Sequence, residues 1–173
     1  MRLAGTSTVV TSDRHHSWDC GPELRLQQLK NYFVLLLLSA GTPMFVMGDE
    51  FARTQDGDPN PYDVDGPRSW VDWSRLDTWS ELHAFVRTLL KLRRECPPVG
   101  HRFYGVDGPV DTSDGSRSLA FATDQLYVMV NAWWEPRRFG TQESGDWTPI
   151  LSTVPGAITG PLPPRSIRIL RRR

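Results

Sequence analysis

The sequence predicts an α+β chain in which a helical first half is followed by an antiparallel, β-rich second half. Two helical patterns precede Pro98, and short segments of β-branched and aromatic residues separated by Gly and Pro follow it. One short apolar run lies between the two helices, and its length is typical of a strand that is buried on both faces. The change in hydrophobic period predicts two domains, 1–97 and 98–173.

Both predicted helices have clear end signals. The first is predicted from Pro22 to Ser39, because Pro22 suits a first helical turn and Gly41 ends the apolar pattern. Its later turns are apolar nearly all round, so it needs cover on most sides. The second is predicted from Trp79 to Glu95, where large apolar residues recur at helical spacing on one stripe.

The apolar run Met44–Met47 is predicted to be a buried strand, and the Asp-, Gly- and Pro-rich segment Gly48–Pro67 a long irregular loop. Asp49 and Glu50 lie where strand and loop meet, the position at which α/β folds present functional residues. Neighbouring side chains of an extended segment point in opposite directions, so this pair suits a structural or orienting role better than acid and nucleophile.

Beyond residue 98, six short segments predict an antiparallel sandwich, at 101–104, 118–123, 125–132, 137–141, 146–151 and 166–170. In Trp133-Trp134, strand alternation predicts one ring in the core and the other on the opposite surface. Core packing is the favoured role for these rings, and contact with a sugar is the alternative.

The composition excludes several classes of function. The 20 Lys and Arg balance the 20 Asp and Glu, so neither nucleic acid nor an anionic membrane is an expected partner. Two cysteines without metal-ligand spacing argue against a zinc site and a disulfide scaffold, and no other metal or cofactor is implied. No signal peptide or bilayer-spanning run is apparent, so a cytoplasmic protein is expected.

Residues 39–73, SAGTPMFVMGDEFARTQDGDPNPYDVDGPRSWVDW, resemble the region at and after the eighth barrel strand of glycogen debranching enzymes and isoamylases of the α-amylase superfamily. Upstream, RHHSWDCG is similar to a loop of that family and LRLQQLKNYFVLLLLS to its seventh barrel helix. Downstream, SRSLAF and LYVMVNAWWEP resemble strands of its C-terminal sandwich. The resemblance covers the chain from about Ser12 to its end.

The resemblance implies the last strand and outer helices of a (β/α)8 barrel followed by a C-terminal β-sandwich. It also implies hydrolysis of α-1,6 branch linkages in glycogen or maltodextrins by a retaining two-carboxylate mechanism, with branched α-glucan as substrate. The substrate-binding residues implied are Asp49, Glu50, Arg53, Asn60 and Tyr62.

No position matches the family's nucleophile Asp, acid/base Glu or stabilising Asp, so no catalytic residue is assigned and the chain is expected to be inactive alone. The stretch before the first helix is too short for the remaining barrel, which takes about 250 residues. Two other interpretations remain open. The chain is a non-catalytic module that binds glucan or complements a chain carrying the rest of the barrel, or it is a truncated remnant without activity.

Overall fold

A computed structural model describes residues 21–56 and 62–173. The chain divides into two compact units, Met1–Leu37 with Gly41–Lys91 and Leu38–Ala40 with Leu92–Arg173. Its elements are helices α1 (Gly21–Leu38), α2 (Arg75–Thr78) and α3 (Ser80–Glu95), a 3-10 helix (Asp49–Phe51), and strands β1 (Arg102–Tyr104), β2 (Ser118–Ala122), β3 (Leu126–Asn131), β4 (Trp147–Ser152) and β5 (Ser166–Arg172).

The predicted helices are confirmed as α1 and α3, each within one residue of the expected ends. Both bury large apolar side chains, among them Phe33 of α1 and Leu89 of α3. The buried Lys30 ammonium forms a 2.6 Å ion pair with Glu81 and lies 5.3 Å from the Phe85 ring centroid. Because a buried charge is costly unless paired, this contact fixes α1 against α3. None of the described helices is long and apolar enough to cross a bilayer.

The prediction of a buried strand at Met44–Met47 is wrong for this structure. These residues adopt no strand, and the side chains of Met44 and Met47 are 86% and 63% exposed. Only Phe45 turns inward, edge-on to Phe33 with ring centroids 5.5 Å apart. A strand forms when neighbouring strands pair its backbone groups, and the described residues of this unit contain no other strand.

The second unit contains one antiparallel sheet with the strand order β1-β2-β3-β5-β4. Five of the six predicted strand segments are thereby confirmed. The segment 137–141 is not a strand, because only Arg137 forms an isolated bridge, to Leu162. Residues 98–173 thus form a single sheet, and the second layer of the expected sandwich is not seen among them.

Buried residues lie on both faces of the sheet. On one face, Tyr127 lies between Tyr104 and Trp147, with ring centroids 6.0 and 5.6 Å away. Leu162, between β4 and β5, belongs to the same cluster, and Phe139, between β3 and β4, packs against it. These irregular segments therefore cover this face instead of pairing as a second sheet. The other face carries Phe121, Val128 and Ile169, neighbours in register on β2, β3 and β5.

A cluster of charged and polar side chains surrounds Glu143 in this unit. Its carboxylate accepts hydrogen bonds from Arg102 and Tyr104 of β1 and from Arg172 of β5. The Arg102 guanidinium and the Tyr104 hydroxyl hold the pKa of Glu143 below its usual range. The guanidinium of Arg172 also lies 4.7 Å from the Trp147 ring centroid, which couples the cluster to the core.

Candidate functional site

The candidate site begins at a tight turn that starts at Gly48. The Gly48 carbonyl accepts hydrogen bonds from Phe51 N (3.0 Å) and Arg53 N (2.9 Å). Gly48 has φ 98°, and a Cβ there would lie 3.0 Å from the Cβ of Arg53. Glycine is therefore required for its conformation and for the close approach of Arg53.

Asp49 lies inside this turn, with only 2% of its surface exposed. Its Oδ2 accepts a hydrogen bond from Val46 N at 3.1 Å, and its buried Oδ1 has no hydrogen-bond partner among the described residues. Burial raises the pKa of Asp49 from 3.8 to about 6, against the opposing effects of the Val46 hydrogen bond and the Arg53 charge. The turn therefore holds a carboxyl group whose ionised form is poorly solvated.

Arg53 connects the turn to the loop that follows. Its guanidinium donates to Gln55 Oε1 at 2.6 Å and to Ser69 O at 3.0 Å, while its buried Nε has no partner in residues 21–56 and 62–173. Phe51, also in the turn, packs against Trp73 with ring centroids 5.5 Å apart. These contacts fix the turn against residues 69–73, so the start of the predicted irregular loop is in fact compactly packed.

The structure brings three of the predicted site residues together and separates a fourth. Glu50 is half-buried and its Oε2 accepts a hydrogen bond from Gly48 N at 2.9 Å, so it shares the turn with Asp49 and Arg53. Tyr62 is 93% exposed and stands apart from this packing. Asn60 lies outside the described residues. Contact of these residues with substrate stays a prediction.

The carboxyl groups of Asp49 and Glu50 are arranged to stabilise the turn and not to act as a catalytic pair. A retaining glycosidase holds two carboxyl groups about 5 Å apart on either side of the bond it cleaves. Asp49 instead accepts the backbone N–H of Val46 and Glu50 that of Gly48, and Asp49 is buried from solvent. Within residues 21–56 and 62–173, His, Cys, Asp and Glu form no group of three able to hold a metal ion.

The prediction for Trp133 and Trp134 is wrong. The two rings stack on each other with centroids 3.7 Å apart, instead of pointing to opposite faces. The reason is that β3 ends at Asn131, so strand alternation no longer applies. Trp133 also lines a cavity with Asp111 and other polar residues that the sequence analysis did not single out. The one sequence feature that could have pointed to these polar residues is the polar segment before β2.

The fold is shared with bacterial pullulanases. The apo pullulanase of Paenibacillus barengoltzii has a TM-score of 0.71 at 20% identity, over 88% of this chain and 26% of its own. The pullulanase of Bacillus acidopullulyticus has a TM-score of 0.69 at 20% identity, over 87% and 21%. At this identity the likeness defines the fold class alone.

Sequence relatives define the family. The chain is 32% identical to isoamylase 1, chloroplastic, of Oryza sativa subsp. japonica, over 87% of this chain and 22% of that protein. It is 35% identical to the glycogen operon protein GlgX homolog of Mycobacterium tuberculosis, over 69% and 18%. No family model matches the sequence. The chain belongs to the isoamylase and glycogen debranching family of glycoside hydrolases, and it spans about a fifth of the length of these relatives.

Proposed function

We propose that this chain is the C-terminal part of a glycogen debranching enzyme, which hydrolyses α-1,6-glucosidic branch linkages in glycogen or maltodextrins. The proposal draws its substrate class from relatives named isoamylase and glycogen operon protein. It is also supported by the similar fold of a pullulanase from Anoxybacillus sp. LM18-11 complexed with maltotetraose.

The observation that carries the proposal is the exposed segment Met44–Met47. An apolar segment that leaves Met44 and Met47 in water loses the favourable free energy of burial, which a covering surface would restore. In a (β/α)8 barrel each strand is paired on both sides, and its side chains are covered by the interior and the outer helices. Residues 1–97 then supply the last strand and outer helices of a barrel, and residues 98–173 supply the C-terminal domain built on the antiparallel sheet.

In this assignment the catalytic groups and the substrate-contacting residues of this chain come from different parts of the enzyme. The nucleophile, the proton donor and the stabilising carboxylate come from the remaining barrel strands, so the chain alone is inactive. The turn at Asp49 and Glu50, fastened by Arg53, shapes one wall of the pocket. Asn60 and Tyr62 contact the glucan once the barrel is complete.

The proposal is tested by complementation. The full chain is co-expressed with the preceding, barrel-bearing portion of a GlgX-type relative, and release of reducing ends from glycogen is measured on the co-purified material. Met44→Asp should prevent co-purification and activity, because it places a charge where the barrel closes. Val99→Asp, at an exposed apolar side chain outside the 44–47 segment, is the matched control and should leave both unchanged.

Two results would reject the proposal. One is failure of the parent chain to form any complex with the barrel-bearing portion. The other is a complex that forms equally well with Met44→Asp, since pairing through the 44–47 segment would then play no part in assembly.

A further inference from the structure

A stacked tryptophan pair projects from the turn that follows β3. The rings of Trp133 and Trp134 lie 23° from parallel with centroids 3.7 Å apart. The guanidinium carbon of Arg137 lies over the Trp133 ring, 5.6 Å from its centroid. Trp134 is 61% exposed although it stacks on Trp133, so much of its surface is left to solvent.

The backbone that carries the stack is held in place by hydrogen bonds, most of them to the buried side chain of Asn131. The side-chain amide of Asn131, itself buried, donates to Glu135 O and Pro163 O at 2.9 Å each. The Asn131 Oδ1 accepts Trp133 N at 3.1 Å, and Trp133 O accepts Arg165 N at 2.9 Å. A large flat ring kept exposed on a fixed turn is preorganised for a ligand, since little conformational entropy is lost on binding.

A cavity of about 190 Å³ opens beside the same stack. Its polar walls combine acceptor and donor groups, since Asp111 offers a carboxylate, Arg117 and Arg137 offer guanidinium groups, and Ser116 and Ser118 offer hydroxyls. Arg117 is fixed in place by donating to the carbonyls of Asp114 and Ser116, both at 2.7 Å. The cavity is comparable in size to a single hexose ring.

The mixture of donors and acceptors in these walls selects a class of ligand. An apolar ligand would leave the carboxylate, hydroxyl and guanidinium groups without partners, and a ligand that carries only acceptors would leave the Asp111 carboxylate without a donor. A neutral polyhydroxylated ring satisfies donors and acceptors alike. Its apolar C–H face also suits the exposed ring of Trp134.

We propose that the Trp133-Trp134 stack and the adjoining cavity form a binding site for a linear α-glucan chain, separate from the site of branch cleavage. One glucose unit occupies the cavity, and the next lies flat on the outer face of Trp134. The identity of the glucan rests on the proposed function, whereas the preference for a neutral sugar rests on the residues of the cavity. The site would hold an outer chain of glycogen on the sheet unit.

The test uses the full chain and maltoheptaose, an unbranched neutral α-glucan, as probe. Binding is followed by tryptophan fluorescence, and electrophoresis in gels containing glycogen gives a second readout. Trp134→Ala should raise the dissociation constant at least about tenfold, because it removes the stacking face, while Trp134→Phe should retain most of the affinity. Trp70→Ala is the matched control, since Trp70 is similarly exposed but belongs to the other unit.

Arg117→Gln, at an exposed wall residue, gives an independent variant and should also weaken binding. The site would be rejected if the parent chain did not bind maltoheptaose, or if Trp134→Ala and Arg117→Gln both bound it as well as the parent. Displacement of maltoheptaose by a heparin oligosaccharide would reject the preference for a neutral sugar. Binding that depends on Trp134 while complementation fails would keep this site and reject the debranching proposal. Binding lost only in Trp70→Ala would reject this site alone.

Discussion

The buried carboxyl of Asp49 predicts that the Gly48–Arg53 turn becomes less stable as the pH rises. The pKa of Asp49 is raised from 3.8 to about 6, mainly by burial. Between these two values the folded turn binds a proton that the unfolded chain has released. The stabilisation is therefore fully present below about pH 4 and is lost as the pH rises through about 6. Since one pKa unit corresponds to about 1.4 kcal/mol, the loss is about 3 kcal/mol.

The assay is amide hydrogen exchange of residues 46–53 at pH 4 and pH 8, corrected for the intrinsic pH dependence of exchange, which gives the free energy of local opening. The parent turn should open about 3 kcal/mol more easily at pH 8, within the limit set by global unfolding. Asp49→Asn should remove this pH dependence, because an amide side chain does not ionise between pH 4 and pH 8. Its oxygen can still accept a hydrogen bond from Val46 N.

Asp63→Asn is the control, because Asp63 is an exposed carboxylate of the following loop, and it should behave like the parent. The reasoning is refuted if the opening free energy of the parent turn is the same at both pH values. It is equally refuted if Asp49→Asn keeps the parental pH dependence, since the titrating group would then lie elsewhere.

Two further predictions concern stability. Amide exchange at Met44 and Met47 should be faster by several powers of ten than in β3, because their segment is unpaired and exposed, and strong protection in a dilute monomer would contradict the fragment interpretation. Glu143→Gln should destabilise the sheet unit by about 2 kcal/mol at pH 7, because Arg102 and Tyr104 lose a charged acceptor. Since the folded pKa of Glu143 is lowered, its contribution is present at neutral pH and declines in acid, so the parent and Glu143→Gln should converge in denaturation curves at low pH.

Elements whose stability is local could be predicted from the sequence. The helical spacing and the proline and glycine end signals gave α1 and α3 to within a residue, and dense β-branched segments gave β3 and β5. Segment 44–47 could not be predicted this way. Its composition indicates a need for burial, but strand formation depends on neighbours that the pattern of one segment does not report.

The local structure of the candidate site could not be predicted from the sequence. The junction of apolar run and polar loop singled out Asp49 and Glu50, but it did not reveal that Asp49 accepts Val46 N and that Glu50 accepts Gly48 N. The Trp133-Trp134 stack was missed because strand alternation was extended to these two residues, whereas β3 ends at Asn131. The polar wall at Asp111 and Arg117 depends on a loop folding beside Trp133, which no local pattern encodes.

We propose that this chain contributes structure to a debranching enzyme but contains none of its catalytic carboxylates. The most direct measurement is a reducing-sugar assay on glycogen and a branched maltodextrin with the purified chain alone, alongside Asp49→Asn and Glu50→Gln. The account predicts no product above background for all three proteins, because loss of one carboxylate from such a site already costs several powers of ten in rate. Activity in the parent chain that disappears in either variant would contradict the claim and make that carboxylate catalytic.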